Sequence, residues 1–292
     1  MLLLVALFLL LSCVKCDRIK EGKHSRKNSL NSYFEANNIT LVKHYNRKYN
    51  FFYLTCDKSR GEVCKGPHDF PDSEGLMMHV ETDFAVSRMN EAKAKQNGVC
   101  NVVDVGANFG YFTLLALSLG CKVYAFEPDL KNFNLLLLNF QLNDYSNYVA
   151  YNMPAGVSGS VPFDGWSAAN PTTQNEAKQM KTMPVSDVLT RGTTQIDWFK
   201  LDVEGFEDNV IQSVPADLVV KSFSVEITYY LYKVLNYDAI HAFLDKRFAK
   251  RVSVERNENI VGPSATYTNH LHATQCNKKV INYCQYNVFA WN

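Results

Sequence analysis

With 292 residues, 47% of them apolar, the chain can bury one full α/β core with additions, or two small domains. A net charge of +1 provides no basic field for a polyanion, which argues against nucleic acid as the main partner.

The amino terminus opens with an apolar run, Met1 to Leu11, followed by small or polar residues up to Cys16. At ~1.5 Å per helical residue this run falls well short of the ~30 Å hydrocarbon core of a bilayer. Residues 1–16 therefore read as a cleaved signal peptide, which places the protein in the secretory pathway, secreted or in the Golgi lumen. Only if the segment stays uncleaved, as a short anchor, is the membrane a partner. Residues 17–50 form a basic stem. Arg18, Lys20, Lys23, Arg26, Lys27, Lys43, Arg47 and Lys48 outnumber Asp17, Glu21 and Glu35, and the segment reads as solvated and partly disordered. It carries the sequon Asn38-Ile39-Thr40, which suits a luminal glycoprotein.

Residues 51–95 read as an N-terminal subdomain or lid over the core. An aromatic, extended stretch at 45–55 leads into a glycine- and proline-containing loop at 59–74 and a helix at 75–95. Once Cys13 and Cys16 leave with the signal, the remaining cysteines are even in number, as a disulfide-bonded protein requires. Cys56 lies close to Cys64, and Cys276 to Cys284. Cys100 and Cys121 each precede a strand, and those strands should be neighbours ~4.8 Å apart. That is within disulfide reach, although buried free thiols are the other reading.

Residues 96–292 carry the chemistry. Residues 100–105 are apolar and mostly β-branched, as a buried parallel strand should be. The sequence then runs DVGANFGYFT from Asp104 to Thr113. Gly106 and Gly110 permit a tight turn or a close approach to a ligand, and an apolar helix follows until Gly120. Residues 122–126 form a second strand with Glu127 at its carboxyl end. A carboxylate about 20 residues beyond a glycine turn can accept hydrogen bonds from both hydroxyls of a ribose. The G-A-N-F-G spacing is not the G-x-G-x-x-G that cradles a pyrophosphate, so a nucleoside without phosphate fits better than a dinucleotide. S-adenosylmethionine is the commonest such ligand.

Further along, residues 132–142 read as a helix and 148–152 as a third strand. Residues 167–181 read as a polar loop or short hairpin, and 185–190 as a short helix. The block DWFKLDVEGFE, Asp197 to Glu207, is a fourth strand that delivers Asp202 and Glu204 at its carboxyl end before Gly205 turns the chain into a helix. A fifth strand at 221–227 ends near Glu226. A helix at 237–248 precedes strands at 251–254 and 285–291, which should pair. The insert between them, 255–284, contains His270, His272 and Cys276, whose spacing does not make a zinc site.

The blocks DVGANFGYFT, FEPDLKNFNLLLLN and WFKLDVEGFE together resemble the FkbM family of S-adenosylmethionine-dependent methyltransferases, over about residues 102–226. The resemblance implies the class I methyltransferase fold, a Rossmann-like seven-stranded sheet with helices on both faces, here with an N-terminal extension. It also implies O-methylation of a hydroxyl, and a secretory protein points to a glycan or small-molecule acceptor. Cofactor contacts then fall to Asp104, Gly106, Asn108, Gly110, Glu127 and Asp202. Asp202 and Glu204 become the catalytic candidates, with Glu226, His68 and His79 as further possible bases. Two clustered carboxylates are too few to favour a metal. The competing reading is a secreted binding protein that keeps the fold without catalysis.

Overall fold

The computed structural model describes residues 23–56, 78–163, 178–189, 193–230, 237–255, 260–263 and 283–292. Ahead of the main sheet come α1 (Lys23–Ala36), the hairpin strands β1 (Leu41–Asn46) and β2 (Phe51–Cys56), and α2 (His79–Lys95). The core then alternates: β3 (Asn101–Val105), α3 (Tyr111–Ser118), β4 (Lys122–Phe126), α4 (Leu130–Leu142) and β5 (Tyr148–Tyr151). A hairpin of β6 (Gly159–Phe163) and β7 (Lys178–Thr182) follows, then the short α5 (Val185–Val188) and β8 (Gln195–Ile196). The second half holds β9 (Trp198–Leu201), α6 (Glu207–Gln212), β10 (Val219–Val220), β11 (Ser222–Tyr230) and α7 (Tyr237–Arg247). It ends with β12 (Lys250–Glu255), β13 (Ile260–Pro263) and β14 (Tyr283–Trp291).

The main sheet runs in the order β13-β12-β14-β11-β9-β3-β4-β5. Strands β5, β4, β3, β9 and β11 are mutually parallel, while β14 runs antiparallel between β11 and β12. All seven strands expected from the sequence are present. An eighth, β13, comes from the insert and pairs antiparallel on the edge beside β12. The chain leaves β3 towards β4 and β5, then crosses back to β9 and β11. That reversal between β3 and β9 opens a crevice at the carboxyl ends of the strands.

Strand periodicity divides the core in two. Val102, Val123, Ala125 and Trp198 face one layer, with Phe112 and Leu115 of α3 and Leu136 of α4. Val103, Val105, Tyr124, Phe126, Phe199 and Leu201 face the other, with Val210 of α6 and Leu244 of α7. Burial on both faces explains why these strands read as continuous apolar runs. Asp104, Lys200 and Ser224 interrupt the first face with buried polar groups, and they reappear at the site.

The basic segment differs from the solvated stem that its charge suggests. It forms α1 and β1, and Leu30, Phe34 and Ile39 are buried in the first core layer. Leu30 and Phe34 are one helical turn apart and lie on one face, a pattern that a charge count does not register. Asn38 follows as an exposed turn residue with φ 55°. The hairpin β1–β2 sits on the same layer: Phe51 and Tyr53 are fully buried, and Tyr53 stacks on Phe109 at 6.0 Å. Two asparagines one turn apart, Asn139 on α4 and Asn143 at its C-cap, hold the free edge of β2. Asn139 accepts from Leu54 N at 2.7 Å and donates to Leu54 O at 3.2 Å. Asn143 does the same for Phe52, at 2.7 and 2.6 Å. Side-chain amides thus satisfy a strand edge that would otherwise be open to pairing.

Cys100 and Cys121 form a disulfide, with their Cα atoms 4.8 Å apart. The register decides it. Asn101 pairs with Lys122, so the two cysteines stand opposite each other at the amino ends of β3 and β4. Cys56 is also disulfide-bonded; Cys64 and Cys276 lie outside the described residues, as does the signal segment. Closing the loop between Cys100 and Cys121 should stabilise the fold by ~2–4 kcal/mol. The Cys100→Ser/Cys121→Ser variant should therefore lose that much unfolding free energy, read as a lowered urea midpoint against the parent without reductant. An unchanged midpoint would mean that the loop is already ordered in the unfolded chain.

Candidate functional site

Two turns meet at the crevice. After β3, the chain turns through Gly106 (φ 80°), Asn108 (φ 55°) and Gly110 (φ 96°) into α3. The amides of Gly106 and Ala107 both donate to the carbonyl of Phe126, at 3.0 and 2.9 Å, which locks the turn against β4. Gly106 has no room for a side chain, since a Cβ there would stand 1.7 Å from the carbonyl oxygen of Asp202. Glu127, buried at the end of β4, accepts from Asn108 N at 2.7 Å on one oxygen and from Asp129 N at 2.9 Å on the other. Each oxygen keeps a lone pair for a further donor. Asp129 in turn caps α4, accepting from Lys131 N and Asn132 N at 3.0 and 2.9 Å.

After β9, Asp202 N donates to Val105 O at 3.0 Å, and Glu204 (φ 54°) and Gly205 (φ 94°) turn the chain towards α6. Asp202, Glu204 and Glu226 each present a carboxylate oxygen, all within 4.8 Å of one another, a spacing at which they could share a cation. The sequence pairs only the first two; the parallel pairing of β11 with β9 brings in the third. Glu207, fully buried, accepts from Gly205 N at 2.9 Å.

A cavity of about 700 Å³, counted with the solvent in its mouth, joins the two turns. Gly106, Asn108, Glu127, Asp202 and Glu204 line it, together with Phe163 from β6. Two of the expected residues stand elsewhere. Asp104 is buried beneath the turn, accepting from Thr113 Oγ1 at 2.6 Å. Gly110 faces α4, where a Cβ would meet Leu136 Cδ1 at 2.2 Å, so its missing side chain serves packing. His79 is exposed at the start of α2, away from the cavity lining, and His68 lies outside the described residues. Lys200 and Glu81 were not legible as site residues. A single lysine inside an apolar strand, and a glutamate on a helix far upstream, carry no local signal.

Lys200 is buried between Asp202, 3.3 Å away, and Asp104, 3.6 Å away. Burial pulls its ammonium down, but Asp202, Asp104, Glu81 and Glu226 outweigh this and hold it above its ordinary value. Burial pushes the Glu127 and Glu207 carboxyls up to about 8 and Glu81 up to about 7. Burial, reinforced by Asp202 and Glu204, also holds Glu226 well above the usual carboxylate range. These groups bind more protons folded than unfolded. Their contribution to stability is therefore complete below the unfolded value of ~4.3 and is lost as pH rises through 7 to 8. The ligand-free protein should accordingly melt at progressively lower temperature as pH is raised across that window. A melting point that climbs instead would mean that these carboxyls are already ionised in the fold.

A parallel sheet whose reversal point opens between a glycine turn and a strand-end carboxylate defines a nucleoside-binding α/β protein. The particular family follows from the sequence itself. A family profile described as the methyltransferase FkbM domain matches residues 104–257, more than half of the chain. The chain belongs to the FkbM methyltransferase family and is an S-adenosylmethionine-dependent methyltransferase. No curated protein matches it. Solved structures similar to it include an rRNA methylase from Streptococcus thermophilus, 13% identical, covering 78% of this chain and 99% of its own, at TM-score 0.41. The human methyltransferase 10 domain containing protein is 10% identical and covers 93% of this chain and 98% of its own, at TM-score 0.41. P. horikoshii TYW2 in complex with MeSAdo is 15% identical and covers 91% of this chain and 83% of its own, at TM-score 0.42.

Proposed function

We propose that the protein methylates a hydroxyl group of a glycan or small molecule within the secretory pathway. The observation that carries this reading is the opposition, across one cavity, of the ribose-type carboxylate Glu127 to the carboxylates Asp202 and Glu204, with Glu226 beside them. The lining suits S-adenosylmethionine: Glu127 keeps acceptor capacity for two hydroxyls, and Gly106 and Asn108 offer a close backbone wall beside it. When bound, the cofactor supplies a methyl group already activated by its sulfonium charge.

The chain's own residues must then position the acceptor and take its proton. In this reading Glu127 holds the ribose, Asp104 braces the turn from beneath, and Asp202 stands nearest the reacting centre. Gly110 contributes by letting α3 start close to α4. A general base works best when its pKa lies near the ambient pH, and burial, with Asp202 and Glu204 beside it, lifts Glu226 in that direction. Asp202 and Glu204, with Glu226 behind them, are the groups assigned to receive the acceptor's proton. Oxidising maturation is supported by the Cys100–Cys121 disulfide and the exposed sequon asparagine, Asn38.

The test has two stages. Calorimetric titration should show micromolar binding of S-adenosylmethionine and none of NAD. Transfer of labelled methyl is then measured on panels of glycan and small-molecule hydroxyls, with amines and RNA as rivals. Label on nitrogen or on RNA would overturn the hydroxyl assignment. Cofactor affinity without turnover on any panel favours a binding protein that has kept the fold. Expression through the secretory route should give glycan at Asn38, read as a mass shift removed by N-glycosidase.

A further inference from the structure

Lys200 occupies a position where an apolar residue would be cheaper. It lies in β9 between Phe199 and Leu201, is 3% exposed, and has the Phe112 ring 5.6 Å from its nitrogen. Burying an ammonium costs several kcal/mol unless its partners are well placed, and here they are. Nζ donates to the carbonyl of Gly106 at 3.2 Å and to Asp202 Oδ2 at 3.3 Å, and it stands 3.6 Å from Asp104 Oδ1. That Asp104 oxygen has no hydrogen bond of its own. An ammonium has three protons to give; two go to the glycine turn and to the carboxylate that ends β9, and the ion pair with Asp104 reaches the residue beneath the turn. The remaining charges that act on it are Glu226 from β11 and Glu81 from α2, the latter held by a 2.8 Å bond from Ser224 Oγ.

We propose that Lys200 is a positioning residue of the methyl-transfer site, its ammonium tying the Gly106 turn to Asp202 across the crevice between β3 and β9. The proposal rests on the cofactor reading given above. It assigns Lys200 a role in setting the geometry of both walls at once, and its charge opposes the burial that raises the Asp104 carboxyl.

Two variants test it, Lys200→Met and Lys200→Arg, each checked for folding by circular dichroism and thermal melting. S-adenosylmethionine is titrated in two buffers of different ionisation enthalpy, which reports the protons released on binding. Lys200→Met should bind on the order of tenfold more weakly or worse, as the loss of charge-assisted hydrogen bonds implies. It should also release on the order of one more proton than the parent, because carboxyls left without their cation take up a proton that the sulfonium then expels. S-adenosylhomocysteine, which lacks the sulfonium charge, should not show the additional release. Lys200→Arg keeps the charge and should keep the parental proton count even if its affinity falls. This variant carries the test if methionine at that position prevents folding. Parental affinity and proton count in a folded Lys200→Met, or extra proton release in Lys200→Arg, would overturn the proposal. Failure of the parent itself to bind S-adenosylmethionine would be a different result, counting against the cofactor site and not against Lys200.

Discussion

Glu127→Ala should reduce affinity for S-adenosylmethionine by ~10²-fold or more, with little change in how the rest of the protein folds. Above about pH 8, where Glu127 is ionised, each hydrogen bond to its carboxylate is worth ~1.5–3 kcal/mol, and two ribose hydroxyls would make two of them. The alanine also leaves the amides of Asn108 and Asp129 without the acceptor that now holds them at 2.7 and 2.9 Å. That second effect is separable. Glu127→Gln preserves the shape and one acceptor oxygen, so it keeps one of these two amide bonds and should lose part of the affinity. Calorimetry on the three proteins gives the order parent, glutamine, alanine. If alanine binds as tightly as the parent, the ribose does not rest on Glu127, and the assignment of the crevice to this cofactor fails with it.

Gly106→Ala should destabilise the whole domain by more than ~4 kcal/mol, in the range reserved for the severest single substitutions and a large part of a typical ~5–15 kcal/mol total. The added Cβ would lie 1.7 Å from the carbonyl oxygen of Asp202 and 2.8 Å from its carbon, and both are backbone atoms. The only relief is to part β3 from β9, which breaks the bond from Asp202 N to Val105 O. The left-handed φ of 80° adds its own cost for an L side chain. Gly110→Ala is the informative comparison. Its Cβ would meet the tip of Leu136 at 2.2 Å, a side chain that can move within the core at ~1–3 kcal/mol. Urea midpoints should therefore rank Gly106→Ala below Gly110→Ala, and the reverse order would contradict the packing described.

The central strands and the two turns were legible because each is encoded locally. An apolar run with a glycine or a carboxylate at its carboxyl end describes β3, β4 and β9 without reference to anything distant. α4 starts at Leu130, earlier than its apolar pattern alone suggests, because Asp129 caps it. Features that depend on meeting across the fold were less legible. Glu226 stands out in the sequence as a possible base, but its approach to within 4.8 Å of Asp202 and Glu204 follows only from the pairing of β11 with β9. Gly110 looks like Gly106 in the sequence, yet one faces a helix side chain and the other the backbone of Asp202, just past β9. Leu30, Phe34 and Ile39 were outvoted by the basic residues around them, although burial of a few apolar groups is what orders a segment.

Glu204 holds a left-handed backbone, φ 54°, that only glycine adopts without penalty. The fold accepts on the order of 1 kcal/mol of strain there to keep a carboxylate at the mouth of the cavity. Directed evolution for heat tolerance alone would thus drift towards glycine at this position, and thermostability and function would be opposing selections at a single codon.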